Sequence, residues 1–269
     1  MHLPIFDSDP KCQSCDLHRC TLPSGHNGTP SLCLSFDPAL QPLVFIGMNP
    51  GREECLQNEP FVGPSGRIVR SVFLPFLPFA TVASIYLSNT ARCYSPVTPT
   101  GNTIEAKHYR ACAPLHLLPD LQKIASLHPN QTLNLLLLGA ETTKHVSSAI
   151  LSSCRTSFYS SFATPEHKPV DGKPQPHSPK SKRKLPPLPP ELAKPIFPRL
   201  SDAFKAQGRT LRWNSISVRF FATFHPAAIL RDRKLILSTE DHLRMIYSVL
   251  SGHSAPISTP NLIPPRILK

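Results

Sequence analysis

The stretch LVFIGMNPGREECLQNEPFVGPSG, residues 43–66, decides how the rest of the chain reads. Leu43–Gly47 is a short apolar run that stops at glycine. The residues after it are rich in Gly, Pro, Asn and charge, and an apolar-periodic stretch then runs from Arg67 to Leu77. A short apolar run bounded by turn residues reads as a buried strand and the periodic stretch as a helix, giving strand, long loop, helix. The same alternation recurs downstream. Ile85–Ser88 is a second strand candidate. Leu133–Leu138 ends in Gly139 and runs into a helical stretch, Ala140–Leu151. Ile216–Phe224 stops at His225-Pro226 and precedes a helical stretch, Glu240–Leu250. Strands alternating with helices predict an α/β fold, three layers in α/β/α order around a mostly parallel central sheet, with ligands beyond the C-terminal strand ends.

Composition narrows the classes. The 269 residues are 40% apolar, enough to bury a core, so wholesale disorder is excluded. No run of about 18 apolar residues occurs, and MHLPIFDSDPKCQSC lacks the basic start and apolar stretch of a leader, so an intracellular protein without a membrane partner is expected. Eight cysteines in such a chain point to thiols or a metal site rather than a disulfide scaffold. The net charge of +12 favours a polyanionic partner, nucleic acid first, although charge alone is equally met by a merely basic surface.

Proline use is uneven. Residues 151–200 hold 11 of the 32 prolines and half the net charge. Most of this region has no apolar period, so 155–199 reads as a disordered Pro/Lys-rich insertion. It interrupts one discontinuous domain, 1–150 with 200–252, and 253–269 is a tail. KSKRK (180–184) matches a nuclear-import or DNA-tether run, which would place a eukaryotic protein in the nucleus and any other in the cytoplasm or nucleoid. Lys184-x-x-Pro187-x-x-Pro190 matches an SH3-type ligand spacing. A solvated linker is the commoner meaning of both.

Four segments fall at the predicted strand ends: GMNPG (47–51), PFVGPSG (60–66), LSNTARC (87–93) and HPAAILR (225–231). Singly, each has a plain meaning: a Gly/Pro turn, a core aromatic, an Asn cap, a His-Pro turn. In this order, each after an apolar run, they resemble the uracil-DNA glycosylase superfamily, most closely its iron–sulfur branches, families four and five. The resemblance covers roughly 12–150 and 200–250. It implies a uracil-DNA glycosylase-like fold and an enzyme that extrudes a nucleotide, holds the base by face and edge, and stabilises the departing anion.

By that resemblance Phe61 stacks on the flipped base. Asn89 reads its edge, since an amide accepts from N3–H while donating to O4, which cytosine does not return. His225 donates toward O2, where charge grows in the transition state. GMNPG departs from families four and five and is similar to the motif of the single-strand-selective monofunctional and mismatch-specific glycosylases. It puts Gly47 and Met48 at the base pocket and Asn49 at the water-orienting position, with Glu54 near the pocket. Backbone amides of Gly63, Ser65 and Gly66 are expected at DNA phosphates. Ile229 and Leu230 are expected to wedge into the duplex, with Arg231 on a phosphate.

Cys12, Cys15, Cys93 and Cys112 follow the order and approximate spacing of the family's four [4Fe–4S] ligands, with zinc the alternative. The resemblance makes the group structural, pinning the N-terminal arm and the 93–112 loop to the domain. That interval is longer than expected, so the loop should differ from relatives. Cys20 competes as a ligand; Cys33, Cys55 and Cys154 look like spare thiols. The expectation is a monomeric, monofunctional uracil-DNA glycosylase acting on uracil-containing DNA to leave an abasic site, with no lysine placed as a lyase nucleophile. Met48 and Asn49 keep a broader deaminated-base or mismatch glycosylase open. A non-catalytic iron–sulfur DNA-binding protein is the alternative from another class.

Overall fold

The computed structural model describes residues 3–4, 12–19, 28–76, 78–95, 97–98, 101–102, 104–161 and 186–253. Cys20, the KSKRK run and the tail beyond 253 lie outside the described residues. Seven strands form the main sheet: β1 Leu3–Pro4, β2 Leu32–Ser35, β3 Gln41–Gly47, β4 Ala83–Asn89, β7 Leu133–Leu138, β8 Arg209–Trp213 and β9 Ile216–Thr223, in the order β1-β2-β4-β3-β7-β9-β8. The four central strands, β4-β3-β7-β9, are all parallel, and antiparallel strands close both edges. β5 Val97–Thr98 and β6 Gly101–Asn102 pair as a small separate hairpin within the 93–112 interval.

The apolar runs are continuous because both sheet faces are covered. Successive side chains go to opposite cores. Val44, Ile46, Leu135, Leu137, Val218 and Phe220 pack with Leu121, Ile124, Val146 and Ile150. These come from helices α5 Leu118–Leu127 and α6 Ala140–Ser160. Leu43, Phe45, Leu136, Leu138 and Phe221 face the other way, against Ile68, Val72, Phe73, Leu243 and Ile246. That layer comprises α2 Pro64–Ile68, a π-turn Val69–Phe73, α3 Leu74–Phe76 and α10 Leu235–Ser251. The remaining helices are short: α1 Arg52–Gln57, α4 Ala106–Cys112, α7 Pro190–Ala193, α8 Leu200–Lys205 and α9 Pro226–Arg231. Among the described residues no helix is long and apolar enough to cross a membrane.

The three-layer expectation holds, with corrections at boundaries. The 48–66 loop contains α1, and its last residues already open α2 behind Pro64, a residue suited to the first helical turn. α6 runs nine residues past the expected Leu151, to Ser160. The insertion expected over 155–199 is therefore too wide. Arg155 Nε donates to Leu192 O at 2.7 Å, and Ile196 and Phe197 are buried, with Phe197 edge-on to Phe220 at 5.7 Å. A proline-rich stretch with one apolar pair has no period to reveal this. Residues 162–185 lie outside the described set.

Candidate active site

Parallel register aligns the strand ends. Gly47, the last residue of β3, stands opposite Asn89, the last of β4, and the pairing continues as Thr90 N–H donates to Gly47 O and Ala91 N–H to Met48 O, both at 2.9 Å. At the end of β7, Gly139 adopts φ +90°, and a methyl there would stand 2.8 Å from His225 Cβ, so glycine allows the turn after β9 to close in. The result is a cleft of about 590 Å³ to which all four motifs contribute: Gly47, Met48, Asn49, Glu54, Phe61, Ser65, Gly66, Asn89, His225 and Arg231 all line it.

His225 caps α9, and its Nδ1 accepts the Ala227 N–H at 3.1 Å. The neutral ring therefore carries its proton on Nε2. Burial, aided by the charge of Arg231, pushes its pKa down to about 4, so the ring is an uncharged donor at neutral pH. Asn49 Nδ2 donates to Pro50 O at 3.1 Å, which leaves Oδ1 as the acceptor of that amide. Phe61 is both a core residue and a cleft wall. Its backbone is left-handed, at φ +60°, which is costly for an aromatic residue. Arg70 holds it there: Nε donates to Phe61 O and Nη2 to Pro60 O, both at 2.9 Å, while Glu59 pairs with the same guanidinium at 2.6 Å. A methyl on Gly66 would fall 2.1 Å from the Phe61 carbonyl carbon, so GPSG is small for a steric reason.

Glu54 is buried and accepts the Gly63 N–H at 2.9 Å, stapling α1 to the 61–66 turn. That corrects the expectation for Gly63, whose amide is used inside the protein rather than at a phosphate. Met48 is shared: it lines the cleft and packs toward Ala91, Tyr109 and Cys112. Ile229 is fully buried in the core beside α10, so it is no wedge, whereas Leu230 next to it is 39% exposed. An i, i+1 pair on a helix cannot share a face, and the core takes Ile229.

The four expected ligand cysteines come from distant segments. The arm 12–19 is held by His108, whose Nδ1 accepts the Glu105 N–H at 2.8 Å, so that Nε2–H donates to Asp16 at 2.7 Å. Burial and the charges of Cys112, Cys15, Cys12 and Cys55 push the Cys93 thiol up to about 12. Burial raises Cys112 to about 11 against the pull of the Arg92 amide and charge. Such a thiol set is unfavourable as bare thiolates and fits a cation. Among the described residues no three Cys, His, Asp or Glu side chains converge as a metal-binding group, so the set fits a four-thiolate group by chemistry and not yet by bonding geometry. Cys55, counted as a spare thiol, is buried within electrostatic reach of Cys93; Cys33 and Cys154 donate weakly to Ser35 O and Arg212 O.

Sequence reasoning missed Arg70, and it also missed Arg52, Tyr94 and Ser95, which line the cleft. Tyr94 and Ser95 follow Cys93 directly and had that adjacency as a signal; Arg70 had none beyond its helical position.

The chain matches the model of the uracil DNA glycosylase superfamily over residues 35–251. It is similar to the type-4 uracil-DNA glycosylase of Saccharolobus solfataricus, 21% identical over 264 residues that cover 96% of this chain and 90% of that protein. It is also similar to the type-4 uracil-DNA glycosylase of Archaeoglobus fulgidus, 29% identical over 100 residues. That second match spans 35% of this chain and 43% of the relative, less than half its length. With the family model covering most of the chain, and its strand-end motifs meeting in one cleft, the protein belongs to the uracil DNA glycosylase superfamily.

Proposed function

We propose that the protein is a monofunctional uracil-DNA glycosylase that hydrolyses the N-glycosidic bond of deoxyuridine in DNA, releasing uracil and leaving an abasic site. The observation that carries the reading is the neutral His225, its proton directed to Nε2 by the Ala227 amide, in one cleft with Asn49, Phe61 and Asn89. The extruded base stacks on Phe61 while the Asn89 amide reads its edge. As the C1′–N1 bond breaks, its electron pair moves onto the base, and His225 Nε2–H donates to the oxygen where that charge collects. Asn49 Oδ1 accepts from a water whose oxygen bonds C1′; the water's proton passes to the released base. Asn49 is too weak a base to deprotonate that water early, which suits an oxocarbenium-like sugar formed ahead of attack. Arg52 and Arg231 line the cleft, whereas Arg67 and Arg70 are paired with Glu53 and Glu59; the first two are assigned to DNA phosphates. Cys12, Cys15, Cys93 and Cys112 would hold a [4Fe–4S] cluster, with zinc as the alternative, and the group would supply structural cross-linking of the arm to the sheet end. The similarity to two type-4 uracil-DNA glycosylases supports this assignment.

A broader deaminated-base or mismatch glycosylase is favoured by one feature, Met48 in the cleft beside Asn49. Matched oligonucleotides carrying uracil, hypoxanthine or thymine, treated with protein and then with or without alkali, test both. Uracil release with strand breaks only after alkali is expected. Breaks without alkali contradict monofunctional action, and preferential hypoxanthine or thymine release would replace uracil as the substrate.

A further inference from the structure

Arg92 lies between the base-reading Asn89 and Cys93, and the chemistry above leaves it without a task. Its side chain is 7% exposed. Nη1 donates to Thr29 O at 2.9 Å, and Nη2 pairs with Asp120, itself buried and accepting from Ser31 Oγ at 2.6 Å. The Arg92 backbone is committed as well: its N–H donates to Cys112 Sγ at 3.1 Å and its carbonyl accepts the Thr29 N–H at 3.1 Å. Each terminal nitrogen has a partner and the backbone is fixed, whereas Nε–H is buried with no partner among the described residues. Buried N–H groups without acceptors are rare, and each one in a native structure calls for a partner. One N–H already approaches a sulfur, Arg92 N at Cys112, and His116 Nε2 lies 3.2 Å from Cys12 Sγ.

We propose that Arg92 Nε–H donates to a sulfur of the metal group held by Cys12, Cys15, Cys93 and Cys112, making Arg92 the residue that ties that group to the Asp120 network behind the sheet. This rests on the assignment of those four cysteines as ligands. Arg92 is a positioning residue. Asp120 and Thr29 lock the guanidinium plane, so the donor is preset and costs no ordering when the group binds. Hydrogen bonds to the sulfurs and net local charge set the potential of such a cluster, and outer partners set its retention.

The test uses the intact protein purified without oxygen, as wild type, R92K and R92Q. R92K keeps a cation for Asp120 and lacks the Nε–H; circular dichroism reports whether each variant is folded. Folded R92K is expected to release its metal to a chelator about tenfold faster than wild type and, for an iron–sulfur cluster, to show a more negative reduction potential. R92Q, lacking the charge too, is expected to go further in both. A folded R92K with wild-type release rate and potential overturns the proposal while leaving the cysteine assignment intact. Wild-type protein free of iron and zinc overturns the assignment and the proposal together. Should R92K not fold, wild-type protein containing arginine labelled with ¹⁵N at Nε alone, which leaves the Arg92 backbone amide at Cys112 Sγ silent, decides: hyperfine coupling of the reduced cluster to the label is expected, and its absence overturns the proposal.

Discussion

At the scale of single residues, His225 is the most informative group. Its tautomer is set by the helix it caps and its pKa by its burial, so neither depends on substrate. Because the folded pKa is about 4 and an unfolded histidine titrates near 6.5, the unfolded chain binds the extra proton between those values. The stability His225 contributes is therefore complete above about pH 6.5 and lost as pH falls toward 4. Urea melts from pH 4.5 to 7.5 should show stability rising with pH, and H225N should flatten part of that slope. Burial also lowers His128, His145 and His242, so part of it remains. Gly47 makes a second residue-scale case. A methyl there would stand 2.5 Å from Asn89 Oδ1 and 3.0 Å from the Phe61 ring. G47A should keep the melting temperature and lose turnover on the order of 10²-fold, the cost of displacing a reading group by about an ångström. Asn89 and His225 were legible in the sequence because each ends an apolar run inside a segment that resembles a family motif. Glu54 was legible as a pocket neighbour only, since its bond to the Gly63 amide joins segments whose approach no spacing reveals.

At the scale of elements, the 61–66 turn shows how a functional side chain is held in a conformation it would not choose. Arg70 bridges Phe61 O, Pro60 O and Glu59, which offsets the left-handed backbone of Phe61. R70A should weaken turnover far more than it lowers stability, and R70K, with no bidentate fork, should not restore it; steady-state kinetics beside thermal melts check both. Helix α9 separates two neighbours that the sequence treated alike. I229A opens a core cavity and should cost about 2–5 kcal/mol in stability, whereas L230A should leave the melt unchanged and slow uracil release from duplex more than from single-stranded DNA. The strand–helix order was readable throughout the centre of the sheet because buried parallel strands are continuous apolar runs. The outer antiparallel strands β2 and β8 were not, because LCLS and RTLRW are short and partly exposed.

At the scale of the molecule, one end of the sheet carries two linked structures, the cleft and the cysteine set, and Met48 packs toward both. The chain crosses between them within one segment, from Asn89 through Arg92 to Cys93, so the residue proposed to read the base and the expected metal anchor are a few residues apart. The proline-rich region hid a structural contribution: Ile196 and Phe197 complete the core under α6, and only composition, not periodicity, was available to judge them. The cleft is proposed to cleave uracil from DNA through Asn49 and His225. The most direct test is abasic-site formation on a uracil-containing oligonucleotide under single-turnover conditions, comparing wild type with N49A and H225A. Turnover by wild type, and a loss on the order of 10²-fold or more in each folded variant, is the predicted result; DNA binding without turnover in wild type, or unchanged rates in both variants, would contradict it.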